Sequence, residues 1–543
     1  MNDLQLIDYL VFGCYFITVV SIGIWASNRK GGTKTTDGYF LAGKSLPWWI
    51  IGSSLIAANI STEQIIGMNG TAFESGIAVS SYSLLGAVVP ILITAKFLLP
   101  TFLRLGVYSM PDFLTKRYDS RVSTGMGVFW VCLFIFVNLT SILSLGAITL
   151  QSVMGVPIVY GCIILATISA FYTIYGGLSA VAWTDFIQVV VLVFGGFAVL
   201  YFGLNAISDN QGVLQGVVTL FETQRDSFHL VLSSDHPELP WTGVFLGGII
   251  IAALPYWGCN QYIIQRALAA KNENEARNGL LFAAFLSFVV GVIIVIPGVI
   301  AKATIAEYVT SRDQAFPLLV KEFIPVGFTG LIIAALIAAI VSSLNSLVTS
   351  ASTIFTLDIW TKVSGHQGDD AKKVRVGRIF SAVALAIAIL IAPKVASMGS
   401  LFAFIQEYSG FITPGVLIVF VLGIYWSRMT PTAALAVVLL TIPVSTIIKF
   451  SLVDTAFLNR MIVTTLILLF VAISFSLYGK KGNNNGALLV AKARDASCSE
   501  DVNINVADGD VLTIDASSKQ ELIFNIGATA CMALVLAIYV IAS

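Results

Sequence analysis

Long apolar stretches recur along the whole chain, and they constrain its fold more than any other feature. Fourteen of them are long enough to cross the hydrocarbon core of a bilayer, for which a helix needs roughly 20 residues. The stretches fall at residues 6–27, 47–70, 76–100, 123–153, 157–174, 179–204, 242–264, 279–301, 325–357, 377–393, 400–425, 431–448, 459–477 and 521–542. This pattern predicts an all-α integral membrane protein with fourteen transmembrane helices.

The composition supports the same class and excludes several others. Hydrophobic residues make up 57% of the chain and charged residues 11%, whereas a typical soluble domain has about 25% charged residues. Lys and Arg together balance Asp and Glu at 30 each, so the chain lacks the excess of basic residues that nucleic-acid binding requires. An ordinary soluble enzyme, a disordered chain and a nucleic-acid-binding protein are therefore excluded.

The distribution of Lys and Arg predicts the orientation in the membrane. If the N-terminus is outside, 22 of these residues fall in cytoplasmic loops and 7 in outside loops, and Lys96 lies near a span end. Cytoplasmic loops carry the excess of positive charge in membrane proteins. We therefore predict a multi-pass protein of the plasma (inner) membrane with both termini outside. Arg266 is counted here in the cytoplasmic loop after the seventh stretch.

One segment matches the residue pattern of a phosphate-binding motif but lacks the flanking structure that the motif needs. The segment from Gly38 to Ser45 reads GYFLAGKS and matches GxxxxGK[ST]. A true phosphate loop follows a buried strand and precedes a helix whose N–H groups hold the phosphate. Here polar residues precede the motif, and Trp48 and Trp49 lead into a membrane span. We predict an interfacial lead-in to that span and no ATP binding.

Polar residues interrupt the second and seventh stretches. The second carries Asn59, Ser61, Thr62, Glu63 and Gln64 almost consecutively. Consecutive polar residues cannot share one helix face, so an unwound stretch whose carbonyls line a cavity is predicted, with a polar helix–helix contact as the alternative.

The seventh stretch has a matching disturbance. Pro255 removes a backbone donor and Gly258 loosens the helix just before Asn260 and Gln261. Because the two interrupted stretches lie five apart, they cross the membrane in opposite directions. This arrangement is typical of two inverted five-helix repeats that hold substrate and ions where the broken helices meet.

These features divide the chain into seven predicted parts. They are a first helix and lead-in (1–46), a first five-helix repeat (47–204), an extracellular loop (205–241), a second repeat (242–426), two peripheral helices (427–478), a flexible cytoplasmic linker (479–520) and a last transmembrane helix (521–543).

Other polar residues inside the apolar stretches are candidates for binding. The adjacent hydroxyls of Ser342 and Ser343, together with carbonyls from an unwound helix, offer hard oxygen ligands that suit Na⁺. Asn260 and Gln406 offer both donors and acceptors to a hydroxylated ligand. Asp185, at the start of the sixth stretch, is either a functional carboxylate or a helix N-cap.

Several stretches resemble the sodium/solute symporter family, most closely its bacterial sodium/galactose members. They include YFLAGKSLPWW, SLIAANISTEQIIGMNG, IFVNLTS, YGGLSAVAWTDFIQV, YWGCNQYIIQRALAAK, IVSSLNS, STIFTLDI and IQEYSGFITPG. The resemblance covers nearly the whole chain. It implies a LeuT-like fold in which the second and seventh segments are discontinuous.

The resemblance also implies roles for individual residues. It assigns Na⁺ to the carbonyls of Ala57, Ile60 and Ala339 and to the hydroxyls of Ser342 and Ser343. It assigns sugar contacts to Gln64, Asn260 and Gln406. It assigns an inner gate to Tyr262, braced by Asn59, an outer gate to Met68, Tyr82 and Phe402, and a place on the ion exit path to Asp185.

Three positions depart from the pattern of the galactose symporters. Ser83 and Ser287 stand where those proteins have Glu and Lys sugar ligands, and Gly86 stands where they have a Ser. We still predict that Ser83 and Ser287 contact the solute. Because buried polar contacts set specificity strongly, these changes predict a sugar site that recognises hydroxyls differently from the galactose symporters, with room for a bulkier or differently decorated sugar.

The predicted function is import of a sugar or a sugar-like neutral solute by Na⁺ symport through alternating access. The alternatives are Na⁺ symport of a polyol, a sugar acid or a nucleoside and, more distantly, a transporter-like sensor. Na⁺ is the predicted coupling ion, and no organic cofactor, enzymatic activity, ATP or nucleic acid is expected. The predicted partners are the solute and the lipid bilayer.

Overall fold

Helices account for the architecture throughout the part of the chain that the structure describes. The computed structural model covers residues 5–27, 36–60, 63–364, 370–396, 401–478, 485–495 and 514–542. The first twelve helices are α1 (Leu6–Ser27), α2 (Thr36–Leu41), α3 (Trp48–Asn59), α4 (Asn69–Ser75), α5 (Ser81–Ser83), α6 (Val89–Ile93), α7 (Leu99–Arg104), α8 (Met110–Arg117), α9 (Ser120–Cys132), α10 (Thr140–Met154), α11 (Ile158–Ile207) and α12 (Val213–Thr223).

The later helices are separated by equally short connections. They are α13 (Trp241–Phe245), α14 (Gly248–Cys259), α15 (Gln261–Leu268), α16 (Glu273–Thr304), α17 (Ala315–Phe323), α18 (Phe328–Thr353), α19 (Thr361–Ser364), α20 (Asp370–Val395), α21 (Leu401–Gly410), α22 (Thr413–Tyr425), α23 (Pro431–Ser451), α24 (Phe457–Tyr478), α25 (Asn485–Asp495) and α26 (Ile514–Ile541). Short π-helical turns at Glu63–Met68, Leu84–Val88, Thr94–Leu98, Leu133–Leu139 and Ile354–Trp360 continue several of these helices.

The helices confirm the predicted all-helical membrane class. In the described part of the chain, ten helical segments are long and apolar enough to cross a bilayer, or eleven if Phe404–Gly410 and Thr413–Tyr425, which meet at 44°, form one span. Among the described residues there is no β-sheet, only two isolated bridges. The total of fourteen transmembrane helices stays a prediction.

Three of the predicted stretches, 47–70, 157–174 and 242–264, do not form separate long helices. The first is divided between α3 and α4, and the third is divided among α13, the 12-residue α14 and the first half of α15. The stretch 157–174 continues into the next one as the single helix α11. Neither Pro nor a charged residue stands between these two stretches to end the helix; the side chains of 171–177 lie outside the described residues.

The two interrupted stretches break at their polar residues. Helix α3 ends at Asn59, and Ile60 is non-helical, with φ −74° and ψ 77°. Ser61 and Thr62 lie outside the described residues. In the seventh stretch α14 continues through Pro255, and the break falls at Asn260, which is extended with φ −86° and ψ 126°. Both breaks free backbone groups in the middle of the molecule.

Helix α18 is the centre around which the other helices pack. Every residue of α18 except Phe328 and Leu331 is buried. Ala and Ser dominate this sequence, and such small side chains allow close approach of neighbouring membrane helices. Helices α3, α10, α11, α15 and α20 all contact it. Its serines are therefore held against both broken stretches.

The predicted flexible linker contains a docked helix. Arg104, at the end of α7, donates from Nη1 to the Ala493 carbonyl of α25 at 3.2 Å. Arg494 donates to the Ile424 carbonyl of α22 at 3.3 Å. Residues 479–484 and 496–513 of this interval lie outside the described residues. Arg104 also pairs with Glu273, the first residue of α16, at 3.1 Å. Arg104 and Arg494 therefore connect α25 with the ends of α7, α16 and α22.

Candidate functional site

A polar cavity lies where the two broken stretches face each other. It has a volume of about 100 Å³. Its walls include all five predicted substrate contacts, one predicted member of each gate and the predicted gate support. These residues are Gln64, Ser83, Asn260, Ser287, Gln406, Tyr82, Tyr262 and Asn59. The structure therefore brings together residues that lie more than 300 positions apart in the chain.

Three buried polar atoms on the cavity wall have no hydrogen-bond partner among the described residues. They are Asn260 Oδ1, Asn138 Oδ1 and Thr413 Oγ1. An unpaired buried polar group costs about 1–3 kcal/mol, so such groups usually meet a ligand or an ordered water. The sequence analysis assigned no role to Asn138 or Thr413. An amide inside an apolar stretch was the available signal for Asn138.

The described cavity wall carries no formal charge. Its polar members are amides, hydroxyls and the indoles of Trp130 and Trp257, without Asp, Glu, Lys or Arg. Ser287 donates to the Ala283 carbonyl of its own helix at 2.9 Å, which leaves its lone pairs for an incoming donor. Trp257 donates to the Gly86 carbonyl at 2.9 Å. The cavity suits a neutral ligand that both donates and accepts hydrogen bonds.

A chain of aromatic side chains closes one side of the cavity. The Tyr256 hydroxyl donates to Asn59 Oδ1 at 3.0 Å, and the Tyr262 hydroxyl donates to the Tyr256 hydroxyl. The ring of Phe134 meets that of Tyr262 edge-on, with centroids 5.7 Å apart. Asn59, which was predicted to brace Tyr262, is thus linked to it by hydrogen bonds through Tyr256, a residue that the sequence analysis did not single out.

A second aromatic pair stands on another side. The rings of Tyr82 and Phe402 meet edge-on at 5.7 Å between centroids. They also line a second cavity of about 330 Å³, which shares Tyr82 and Gln406 with the first. Met68, predicted to belong to this gate, is buried, and the described residues that line the two cavities do not include it.

The predicted sodium ligands converge at the end of α3. Ser343 Oγ lies 3.4 Å from the Ala58 carbonyl oxygen, which joins α18 to α3. Ala57 and Ile60, at this end of α3, and Ala339, one helical turn before Ser343 in α18, are buried. The last carbonyls of a helix lack intrahelical donors and carry its partial negative charge. This end of α3 therefore offers oxygen ligands to a cation, and the predicted sodium site stays a prediction.

Asp185 lies inside α11 and is not an N-cap. Its carboxylate accepts from the hydroxyls of Ser342 and Ser54 and pairs with Arg266, at 3.4 Å between Oδ2 and Nη2. A hydroxyl has one proton and two lone pairs. Because Ser342 gives its proton to Asp185, its lone pairs remain available to a cation, so the carboxylate orients this predicted ligand.

The placement of Arg266 in a cytoplasmic loop is wrong. Its side chain is 1% exposed, and α15 extends to Leu268, past the end of the seventh apolar stretch. The guanidinium donates to Ser54 Oγ at 2.6 Å, to Ser346 Oγ and to the Tyr262 carbonyl. A buried cation is tolerated only with such partners, and an apolarity profile does not reveal them.

The lead-in before α3 is buried more deeply than an interfacial segment. Phe40 and Leu41 have no exposed surface. Gln265 Nε2 donates to the Phe40 carbonyl at 2.6 Å, and Gln265 Oε1 accepts from Ser350 at 3.0 Å. These two residues end α2, which is packed against α11, α15 and α20.

Comparison with known proteins finds close relatives. The model of the Sodium:solute symporter family matches residues 39–441. A sodium/glucose cotransporter of Vibrio parahaemolyticus is 43% identical over 495 residues, which cover 88% of this chain and 91% of that protein. The human sodium/myo-inositol cotransporter 2 is 33% identical over 457 residues, covering 79% of this chain and 67% of that protein.

Solved structures show the same fold. A Na⁺-coupled sialic acid symporter, in a substrate-bound outward-open state, superimposes with a TM-score of 0.78 at 22% identity. The match covers 88% of this chain and 98% of that one. A nucleobase-cation-symport-1 family transporter in a closed conformation gives a TM-score of 0.51 at 14% identity, over 83% and 97% of the two chains.

Proposed function

The chain belongs to the sodium:solute symporter family, and from this premise we propose that it imports a sugar or a sugar-like neutral solute together with Na⁺. The uncharged cavity carries this proposal. A solute rich in hydroxyls needs both donors and acceptors, and the walls supply them through amides, hydroxyls and backbone. The sodium/glucose relative supports the same substrate class.

The same cavity argues against one alternative. A sugar acid carries a carboxylate, whose burial needs a cation or several donors. The described walls hold no Lys or Arg. A polyol remains compatible, and the resemblance to a sodium/myo-inositol cotransporter favours testing one.

We place the solute against Gln64, Asn260 and Gln406, with Ser83 and Ser287 at one end. Asn138 and Thr413 join this proposal because both residues line the same cavity and each has a buried polar atom without a partner among the described residues. At Gly86 an added Cβ would find no atom within 3.7 Å. The small side chains at this end leave room for a solute bulkier than galactose.

We place Na⁺ between the carbonyls of Ala57, Ile60 and Ala339 and the hydroxyls of Ser342 and Ser343. The Ser343 to Ala58 contact and the commitment of the Ser342 proton to Asp185 support this site. One Na⁺ that crosses a 100 mV potential releases about 2.3 kcal/mol. At about 1.4 kcal/mol per tenfold, this electrical part alone concentrates a neutral solute some tens-fold. The proposal needs no ATP, organic cofactor or covalent chemistry.

The finer architecture belongs to the same proposal. Fourteen helices, two inverted five-helix repeats of the LeuT-like type and both termini outside would place α25 in the cytoplasm and the second cavity outside. The breaks at Ile60 and Asn260 and the excess of Lys and Arg in the predicted cytoplasmic loops support this arrangement. The seven-part division of the chain follows from it.

Alternating access would use the two aromatic groups as gates. In this proposal, the edge-on pair of Tyr82 and Phe402 separates the polar cavity from the second cavity. Tyr262, hydrogen-bonded to Tyr256, blocks the cytoplasmic side of the polar cavity. Na⁺ would favour the outward-open state, and its later release past Asp185 would precede solute release. The contact of Met68 with this outer gate stays a prediction.

Gly67→Ala is expected to hold the outer gate open. A Cβ at Gly67 would lie 2.6 Å from Phe402 Cβ, so the ring must move away. We expect the transport rate to fall roughly tenfold, since a contact this close costs about 1–3 kcal/mol. The check is initial uptake, together with maleimide labelling of Ser409→Cys from outside in a background without native cysteines.

The control is Gly125→Ala, where the nearest atom to an added Cβ is 3.7 Å away. It should transport and label like the parent. If uptake and labelling are unchanged in Gly67→Ala, Phe402 is not part of the gate.

Counterflow in proteoliposomes tests the substrate class. Vesicles loaded with one unlabelled solute are diluted into the same solute in labelled form, and the panel includes glucose, galactose, myo-inositol, an N-acetylated sugar, a sugar acid and a nucleoside. We expect Na⁺-dependent exchange with a neutral hexose or a bulkier neutral sugar. Exchange only with the sugar acid or the nucleoside would contradict the proposal.

A further inference from the structure

The buried Arg266–Asp185 pair touches the proposed sodium site but supplies none of its predicted ligands. The two side chains are 1% and 0% exposed. Asp185 accepts the proton of Ser342, and Arg266 donates to Ser346, whose own hydroxyl donates to the Ser342 carbonyl at 2.8 Å. Ser342 is therefore linked to a charged side chain at both of its polar groups: to Asp185 at its hydroxyl and, through Ser346, to Arg266 at its carbonyl.

The charges of this cluster change when the ion arrives. Without Na⁺, Asp185 and Arg266 neutralise each other. With Na⁺ bound at Ser342, two positive charges share one carboxylate in a site shielded from water, where charges interact far more strongly than in solution. Na⁺ and the guanidinium therefore oppose each other through Asp185.

Arg266 also connects the parts that enclose the site. It is carried by α15, the second half of the broken seventh stretch, and it contacts Ser54 of α3, Asp185 of α11 and Ser346 of α18. Its alkyl chain begins one helical turn after Tyr262, whose carbonyl it holds. A change in the position of the guanidinium is thereby transmitted to the proposed inner gate.

We propose that Arg266 is a built-in competing cation that weakens Na⁺ binding enough for the ion to be released into the cytoplasm. Asp185 opposes this effect, so the balance of the two charges sets the apparent Na⁺ affinity. Arg266 acts through Asp185 and Ser342 and is a positioning residue, not a ligand. The inference rests on the proposed sodium site.

Three single variants and one double variant test the charge balance. For each, uptake and the tryptophan fluorescence of the purified protein are measured over a range of Na⁺ concentrations. Arg266→Lys keeps the charge and should hold the half-saturating Na⁺ concentration within about threefold. Arg266→Gln should lower that concentration roughly tenfold while the maximal uptake rate falls, because Na⁺ leaves slowly. Asp185→Asn should raise it roughly tenfold.

The double variant Asp185→Asn/Arg266→Gln keeps the result interpretable if Arg266→Gln does not fold. It removes both charges and leaves no uncompensated one, so its half-saturating Na⁺ concentration should return to within about threefold of the parent. Arg117→Lys is the matched control, because Arg117 is buried but donates only to carbonyls at Gly423, Trp426 and Met429. It should leave the Na⁺ titration unchanged.

A structural role would give a different pattern. If Arg266→Gln raises the half-saturating Na⁺ concentration, or if the double variant is as weak as Asp185→Asn, the proposed competition is wrong. Ser343→Ala separates this outcome from failure of the sodium site. If Ser343→Ala weakens Na⁺ binding while the Arg266 variants do not change it, only the competition is overturned; if Ser343→Ala has no effect, the site itself is misplaced.

Discussion

Replacing Ser343 with alanine is expected to raise the Na⁺ concentration for half-maximal uptake about 10- to 100-fold. The substitution removes one hard oxygen ligand and leaves the other proposed ligands in place. A hydrogen bond to a charged group is worth about 1.5–3 kcal/mol, and a cation–oxygen contact in a buried site is of at least this order. Solute affinity at saturating Na⁺ should change much less. Uptake by proteoliposomes over a range of Na⁺ concentrations measures both quantities.

Ser381→Ala is the matched control for this substitution. Ser381 is also a buried membrane hydroxyl, but it donates only to the Gly377 carbonyl of its own helix at 2.9 Å. We expect its Na⁺ titration to match that of the parent. If Ser343→Ala and Ser381→Ala give the same titration, Na⁺ does not bind at the end of α3.

Replacing Asn260 with leucine is expected to reduce solute uptake about 10- to 100-fold at low solute concentration. Leucine has a similar volume, so the packing changes little. The substitution removes the unpaired Oδ1 of a residue that lines the cavity. The solute hydroxyl that we propose to bind there is then left without a partner, at a cost of about 1–3 kcal/mol. Na⁺ binding, measured by tryptophan fluorescence without solute, should be unaffected.

Asn459→Leu tests whether loss of an amide is harmful in itself. Asn459 donates to Thr242 Oγ1 at 3.0 Å, outside both cavities. Its uptake should remain close to that of the parent. A normal uptake curve for Asn260→Leu would show that the solute does not contact this amide, and the proposed binding site would then have to move.

Local sequence patterns predicted the features that depend on neighbouring residues. Apolar stretches predicted the membrane helices because the bilayer selects for length and apolarity in each segment separately. The polar run beginning at Asn59 and the Pro255–Asn260 cluster predicted where helices break, since these residues disrupt a membrane helix wherever they occur. Resemblance to the family supplied most of the proposed site residues, and the structure brings most of these together.

Features that depend on partners far away in the chain were missed. Arg266 looked like a loop residue because its compensating carboxylate, Asp185, lies 81 positions earlier. Asn138, Thr413 and Tyr256 gained a role only when helices distant in sequence enclosed one cavity. Helix α25 docks through Arg104 and Arg494 within a polar segment, where composition alone predicted a flexible linker.

The most direct test of Na⁺-driven sugar import is solute accumulation by the purified protein in proteoliposomes without ATP. An inward Na⁺ gradient should drive a neutral sugar above its equilibrium concentration, and a Na⁺ ionophore should abolish the accumulation. Equal uptake with K⁺ or choline in place of Na⁺, or no accumulation of any neutral sugar under a Na⁺ gradient, would contradict it.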